Sequence, residues 1–226
     1  FDVTVQPLVD LLHGSDSLAG GGALDSSEWH EALERVGFDA VRFSDRRVAL
    51  ERDGMGITLD GIAKGYIVDA MAAVLQAHGL KRFLIDAGGD IRAEGSREDG
   101  SGWMVAVRDP RHGGILPGVL RLTRGAIATS GGYEARFDPE GSWHHIVSAS
   151  TGRSPEEVLS VTVTGPTVFA ADALATATSL LSPGKGVGLM DSLPGFECMV
   201  IDAEGRSAVS AGWTEQTVTS QEEGAR

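Results

Sequence analysis

The sequence predicts an α+β fold: mixed, largely antiparallel sheets with a few flanking helices. Two observations carry this. Short apolar strand candidates outnumber the helical segments, and the two kinds do not alternate as a doubly wound α/β chain requires. In chain order, Phe1, Val3 and Val5 alternate as in a strand, which Pro7 interrupts before a short apolar segment to Leu12. Ser15 to Ala23 is rich in Gly and Ser and reads as a flexible loop. Ser26 or Ser27 is placed to cap a helix through Trp29, Ala32, Leu33 and Val36 that stops at Gly37. Val41–Phe43 and Val48–Leu50 flank a polar tetrapeptide, the pattern of a hairpin. Met55 to Leu59 reads as a further strand. Ile62 to His78 is the clearest helix: Ile67, Met71, Val74 and Leu75 make its apolar face, and Gly79 occupies the left-handed capping position.

The second half adds strand candidates at Arg82 to Ala87, Trp103 to Val107, Gly118 to Leu122, Ala126 to Thr129, Trp143 to Val147 and Leu159 to Thr164. Val168 to Leu181 is a second good helix, stopped by Pro183, and Gly186 to Met190 forms a short third. Glu197 to Asp202 and Ser207 to Ser210 close the chain as a hairpin around Glu204-Gly205. No repeat or linker divides the sequence, so residues 1–213 form one domain and 214–226 a polar, flexible tail.

Composition narrows the function. Of 226 residues, 42% are apolar and 23% charged, which is ordinary globular usage. The net charge of −13 argues against a nucleic-acid binder, because phosphate contacts need clustered Lys and Arg. It leaves room for one small anionic ligand held locally. Cys198 is the only cysteine, which rules out an intrachain disulfide or a cysteine-built metal cluster. It lies in an apolar run and reads as a core residue. No apolar run approaches the roughly 18–20 residues that span a bilayer. The chain opens at Phe1, inside an apolar stretch, which implies residues upstream.

Four segments are equipped for chemistry. Thr58-Leu59-Asp60-Gly61-Ile62-Ala63-Lys64-Gly65 lies where a helix begins. Unpaired amides, two glycines and Lys64 suit a phosphate there, although a plain helix entry with a solvated lysine has the same pattern. Asp86-Ala87-Gly88-Gly89-Asp90 follows a strand; its Gly pair reads as a tight turn or as backbone packed against a ligand. His144 and His145 are adjacent on a strand and point to opposite faces, so at most one faces a given site. Such a histidine is either structural or a general base. Asp172 and Thr176 lie four apart on an otherwise apolar helix. A carboxylate there is costly unless paired or metal-bound, and an oxygen-only pair suits Mg²⁺ or Ca²⁺.

Taken in order, these segments resemble the ApbE family of FAD:protein FMN transferases. The resemblance rests on FDVTVQPLVDLL at the start, LDGIAKGYIVD, DAGGDIRAEG, ATSGGYE, HHIVSASTGRSP and ADALATATSLLSPGKG. It extends from Phe1 to about Trp213. It implies an enzyme that cleaves FAD at its diphosphate, attaches FMN to a Thr or Ser of an acceptor protein and releases AMP, with Mg²⁺. It maps the metal to Asp172, Thr176 and the carbonyl of Gly61. Contacts to the flavin nucleotide map to Phe1, Asp2, Thr58, Lys64 and Val147, and the base to His145, with His144 a redundant neighbour.

The sequence departs from the family pattern in places. Thr58 stands where many members carry Asp, and Ala175 where some carry a second metal-side Asp. Family members have a substantial segment before the first motif, so the resemblance also implies an N-terminally truncated chain. It implies acceptors among membrane redox complexes or exported electron-transfer proteins, and a place in the cell envelope, often as a lipoprotein. Two alternatives stay open: an FAD pyrophosphatase that uses water in place of the hydroxyl, and an FAD-binding maturation protein without turnover.

Overall fold

The computed structural model describes residues 1–111 and 117–214. The first part of the chain contains helices α1 (Gln6–Gly14), α2 (Asp16–Ala19) and α3 (Ser26–Glu34), then strands β1 (Val41–Ser44) and β2 (Arg47–Leu50), then α4 (Ala63–Ala77). Strands β3 (Phe83–Asp86), β4 (Ile91–Glu94), β5 (Trp103–Val107), β6 (Gly118–Leu122), β7 (Arg124–Gly131) and β8 (Val158–Gly165) follow. Helices α5 (Val168–Ser179) and α6 (Pro183–Asp191) precede the closing strands β9 (Glu197–Asp202) and β10 (Ser207–Val209).

Six strands form the main sheet in the order β10-β9-β8-β7-β4-β3, and each neighbouring pair is antiparallel. The pairs β1–β2 and β5–β6 are separate antiparallel hairpins. The α+β architecture expected from the sequence is therefore present.

Side chains of β9 show how the sheet is covered. Cys198 and Val200 face α5 and α6 in a cluster with Val161, Val163, Ala171, Ala175 and Met190. Met199 and Ile201 point to the opposite face, against Val105, Val107 and Leu120 of the β5–β6 hairpin. A strand alternates faces with a period of two, so a sheet covered on both sides needs a continuous apolar run, which Cys198-Met199-Val200-Ile201 supplies. Cys198 is thus a core thiol, and burial pushes its pKa up to about 11.

Several local expectations are corrected. Phe1–Val5 is not a strand: the Asp2 carboxylate accepts from the Thr4 amide and caps a 3-10 turn over Val3–Val5. That turn feeds α1, and Pro7 sits in the helix's first turn, where its missing N–H costs nothing. The Gly/Ser-rich segment contains α2, capped by Ser15 and anchored by buried Leu18. The cap of α3 is Asp25, whose side chain accepts from the amides of Ser27 and Glu28, rather than Ser26 or Ser27. Met55–Leu59 forms no strand; the Thr58 amide makes one bond to the Val3 carbonyl, at 2.8 Å, and no strand lies alongside. Trp143–Val147 is likewise irregular, with a single bridge between His144 and Arg136. Strand β4 was not anticipated. Apart from Thr214, the expected tail lies outside the described residues.

Most of the apolar face expected for helix α4 points outward. Ile67, Met71 and Val74 are 56%, 48% and 57% exposed, whereas Val68 and Ala72 are buried, with Leu75, of the expected face, packed against the same cluster. The packed stripe is Gly65-Val68-Ala72, spaced by three and four residues. Its small side chains let α4 lie directly against α5: a Cβ on Gly65 would stand 2.6 Å from the Val168 carbonyl oxygen and 2.9 Å from Asp172 Cβ. Contact of backbones outweighs the size of the apolar face here, because larger residues at these positions would hold the helices apart. The Asp69 carboxylate, one turn along α4, accepts from the amides of Val168 and Phe169 and so fastens the start of α5 to the same helix. Gly65→Ala should therefore lower unfolding stability by about 1–3 kcal/mol through overpacking, seen as a lower urea midpoint at unchanged slope.

Candidate functional site

The contact between α4 and α5 opens, at its N-terminal end, into a cavity of about 140 Å³. Three stretches line it that the sequence reading had singled out. From the approach to α4 come Thr58, Gly61 and Lys64; from α5 come Asp172 and Thr176; and from the irregular segment after β7 come His145 and Val147. Phe1 supplies a further wall. Eight of the nine expected site residues thus share one cavity. Asp2 does not line it: its carboxylate is occupied by the Thr4 amide and hydroxyl and the Phe38 amide, and it acts on the cavity only by holding the turn behind Phe1.

Local structure explains these positions. Between Thr58 and α4 the chain winds through turns, the amides of Ile62 and Ala63 both returning to the Leu59 carbonyl. Gly61 is thereby wedged between the Phe1 ring and Thr176: a Cβ there would lie 3.0 Å from the ring and 3.2 Å from the Thr176 methyl. The Gly65 amide donates to Asp172 Oδ2 at 3.0 Å. The Thr176 hydroxyl lies 3.1 Å from that of Ser130, on β7. A segment remote in sequence is thus tied to α5 at both polar positions.

Asp172 and Thr176 are only 5% and 8% exposed. Burial raises the Asp172 carboxyl above its ordinary value, while the Gly65 amide and the Lys64 ammonium pull it down. A second buried carboxylate stands nearby. Asp90 ends the β3–β4 turn, in which Gly88 and Gly89 take φ of +69° and +101°, the conformation a two-residue hairpin requires. Asp90 is 1% exposed and lies 3.6 Å from Lys64 Nζ. Burial, reinforced by the charge of Asp172, pushes its pKa up to about 7 against the pull of Lys64. Two buried carboxylates facing one lysine leave a local surplus of negative charge.

The two histidines separate. His144 is buried; its Nδ1 accepts from the Ile146 amide at 3.3 Å and its Nε2 faces the Pro155 carbonyl at 3.2 Å, so the ring is the neutral Nε2–H form. Burial lowers its pKa. His145 is half-buried in the cavity wall, with Nδ1 3.4 Å from the Ala135 carbonyl. A proton on Nδ1 leaves the Nε2 lone pair to accept another. The following loop is pinned by the Trp29 indole, which donates to the Gly152 carbonyl, and by Arg153 stacked over the rings of Trp29 and Trp143.

A larger cavity, about 380 Å³, adjoins the first and shares Thr129 and Glu134 with it. Together the two fall within the roughly 300–1,000 Å³ of small-molecule sites. Sequence reasoning gave no role to Ser130, Glu134 or Asp90. Ser130 and Glu134 carry no periodic signal; Asp90 follows an apparent turn, and only its burial sets it apart. Among the described residues, no three His, Cys, Asp or Glu side chains converge as a metal cluster.

Comparison with known proteins gives a consistent picture. The model of the ApbE family matches residues 1–200. An FAD:protein FMN transferase of Treponema pallidum is 34% identical over 206 residues, covering 83% of this chain and 57% of that protein. One of Vibrio cholerae is 30% identical over 195 residues, covering 84% and 58%. The chain therefore spans a little over half the length of these curated relatives. The crystal structure of the ApbE protein from Thermotoga maritima superposes with a TM-score of 0.83 at 32% identity, over 93% of this chain and 70% of that one. The flavin transferase ApbE from Vibrio cholerae gives 0.80 at 25% identity, over 93% and 68%.

The state of His144 sets a pH dependence. Its pKa in the folded chain lies below the ordinary 6.5, so the unfolded chain binds the extra proton more readily. Stability is then full above that ordinary value and is lost as pH falls from it toward the folded value. His144→Gln should flatten the fall in thermal midpoint between about pH 7 and pH 5. An undiminished fall in the variant would count against this origin.

Proposed function

The chain belongs to the ApbE family, and on that footing we propose that it acts on FAD, transferring the FMN half to a Thr or Ser hydroxyl of an acceptor protein. The observation that carries this reading is the meeting, in one cavity, of a lysine, a buried carboxylate–hydroxyl pair and a histidine with one ring nitrogen free. The acceptor's hydroxyl oxygen attacks the phosphorus on the flavin side of the diphosphate. The bond from that phosphorus to the bridging oxygen breaks, and AMP leaves with that oxygen. His145 takes the hydroxyl proton, which a weak nucleophile must shed. Lys64 offsets charge on the phosphate oxygens, since phosphoryl transfer depends mostly on positioning and charge neutralisation.

The oxygen donors Asp172, Thr176 and the Gly61 carbonyl would hold Mg²⁺. They fit it: the set is all oxygen, and the surplus negative charge shared by Asp90 and Asp172 is what a divalent cation relieves. Bound there, Mg²⁺ supplies charge neutralisation at the diphosphate. Phe1, Thr58 and Val147 would contact the nucleotide, with Asp2 setting the pose of Phe1. The acceptors are subunits of membrane redox complexes or exported electron-transfer proteins, and the cell envelope is the corresponding location.

Incubation with FAD, Mg²⁺ and an acceptor protein tests this directly. The expected products are AMP and an acceptor heavier by FMN; AMP with free FMN would indicate hydrolysis, and FAD returned intact would overturn catalysis. His145→Ala should keep FAD affinity and lose about 10²–10⁴-fold in transfer rate; equal rates would remove His145 from the reaction. Asp172→Asn should abolish the response of turnover to added Mg²⁺, read by titration after EDTA treatment.

A further inference from the structure

We propose that Asp90 is a positioning residue that holds the Lys64 ammonium against the cavity. The idea rests on the flavin-transfer reading for its consequence and on geometry for its existence. Asp90 is 1% exposed, and neither of its carboxylate oxygens has a hydrogen bond of ordinary geometry among the described residues; the groups that act on it are the Thr129 amide and the Lys64 ammonium. A buried carboxylate in that condition is costly, and such groups persist where a charge partner compensates them. The partner here is Lys64, whose Nζ lies 3.6 Å from Asp90 Oδ2. Lys64 itself is 40% exposed and lines the cavity, so its ammonium is held on one side by a buried anion while its other side stays open to a ligand.

The two residues come from different elements of the fold. Lys64 rises from the first turn of α4, and Asp90 from the end of the β3–β4 turn, whose Gly88-Gly89 geometry sets where it enters. A lysine has four rotatable bonds and gains little directional preference from its own backbone. Asp90 restricts that freedom before ligand arrives, so that the ammonium need not be ordered during the reaction. Asp172 contributes to the same field, since it also draws on Lys64.

The test begins in the free protein, without FAD or metal. The sequence contains three lysines, Lys64, Lys81 and Lys185, and the other two are exposed controls. Limited acetylation read by peptide mass spectrometry should show Lys64 protected relative to them, and Asp90→Asn should abolish that protection. Unchanged labelling would overturn the pairing; Asp90→Ser serves if the first variant does not fold. The second arm measures turnover of FAD in a cycle with Lys64→Met. Asp90→Asn should lower kcat about 10- to 100-fold with KM for FAD little changed. The same substitution should cost nothing further in the Lys64→Met background. Equal losses in both backgrounds would overturn action through Lys64. A wild-type chain inert toward FAD would sink the flavin reading, while the labelling still decides the pairing.

Discussion

The hydrogen bond from the Gly65 amide to the Asp172 carboxylate is the contact on which the site depends. It exists because α4 and α5 touch backbone to backbone, and they touch because residue 65 has no side chain. Any larger residue there would separate the helices and withdraw the amide from the buried carboxylate. The same contact sets the relation of Lys64 to Asp172, since both follow from the angle at which the helices cross. Asp69, bonded to the first amides of α5, secures that angle from the other side. Packing and electrostatics are therefore one device here.

The sheet supplies the rigidity behind it. α5 lies on β7 and β8 through Ala171 and Ala175, which are completely buried. Asp172 and Thr176 sit beside those positions at the edge of the packed face, where α5 meets Ser130 of β7 and the start of α4. Polar side chains in such a place cannot relax toward water. That accounts for the raised pKa of Asp172; burial in the β3–β4 turn, reinforced by the charge of Asp172, raises that of Asp90. The cost of burying them is offset locally by one lysine and a few amides.

What could be read from the sequence varied with how local the cause was. The hairpin at Val41–Leu50, helix α4, helix α5 and the closing hairpin were legible because caps, turns and periodicity lie within a few residues of each other. The strands proposed at Phe1–Val5 and Met55–Leu59 failed because alternation cannot show whether a partner strand is present, and none lies alongside. Of the apolar face expected for α4 only Leu75 packs inward, because close approach of backbones and not side-chain size selects the buried stripe. For the site, motif order brought forward eight residues that share one cavity, although others that line it, Ser130 and Glu134 among them, received no role. The segment that ends at Asp90 stood out by its glycines, but a role for the Asp90 carboxylate was not legible, because its burial and the approach of Lys64 and Thr129 come from segments far apart in the chain.

The sequence by itself determined the kind of protein this is: an α+β chain with family motifs in order, a carboxylate and a hydroxyl four residues apart within a helical pattern, and two adjacent histidines. Each of these is set by spacing along the chain. Only the tertiary structure decided that His144 is buried as a neutral ring, that Asp2 is spent on a cap, and that Asp90 stands buried beside Lys64. Those outcomes depend on how much water each group loses and on what approaches it from distant segments. Such quantities arise only when the helices and the sheet close on one another.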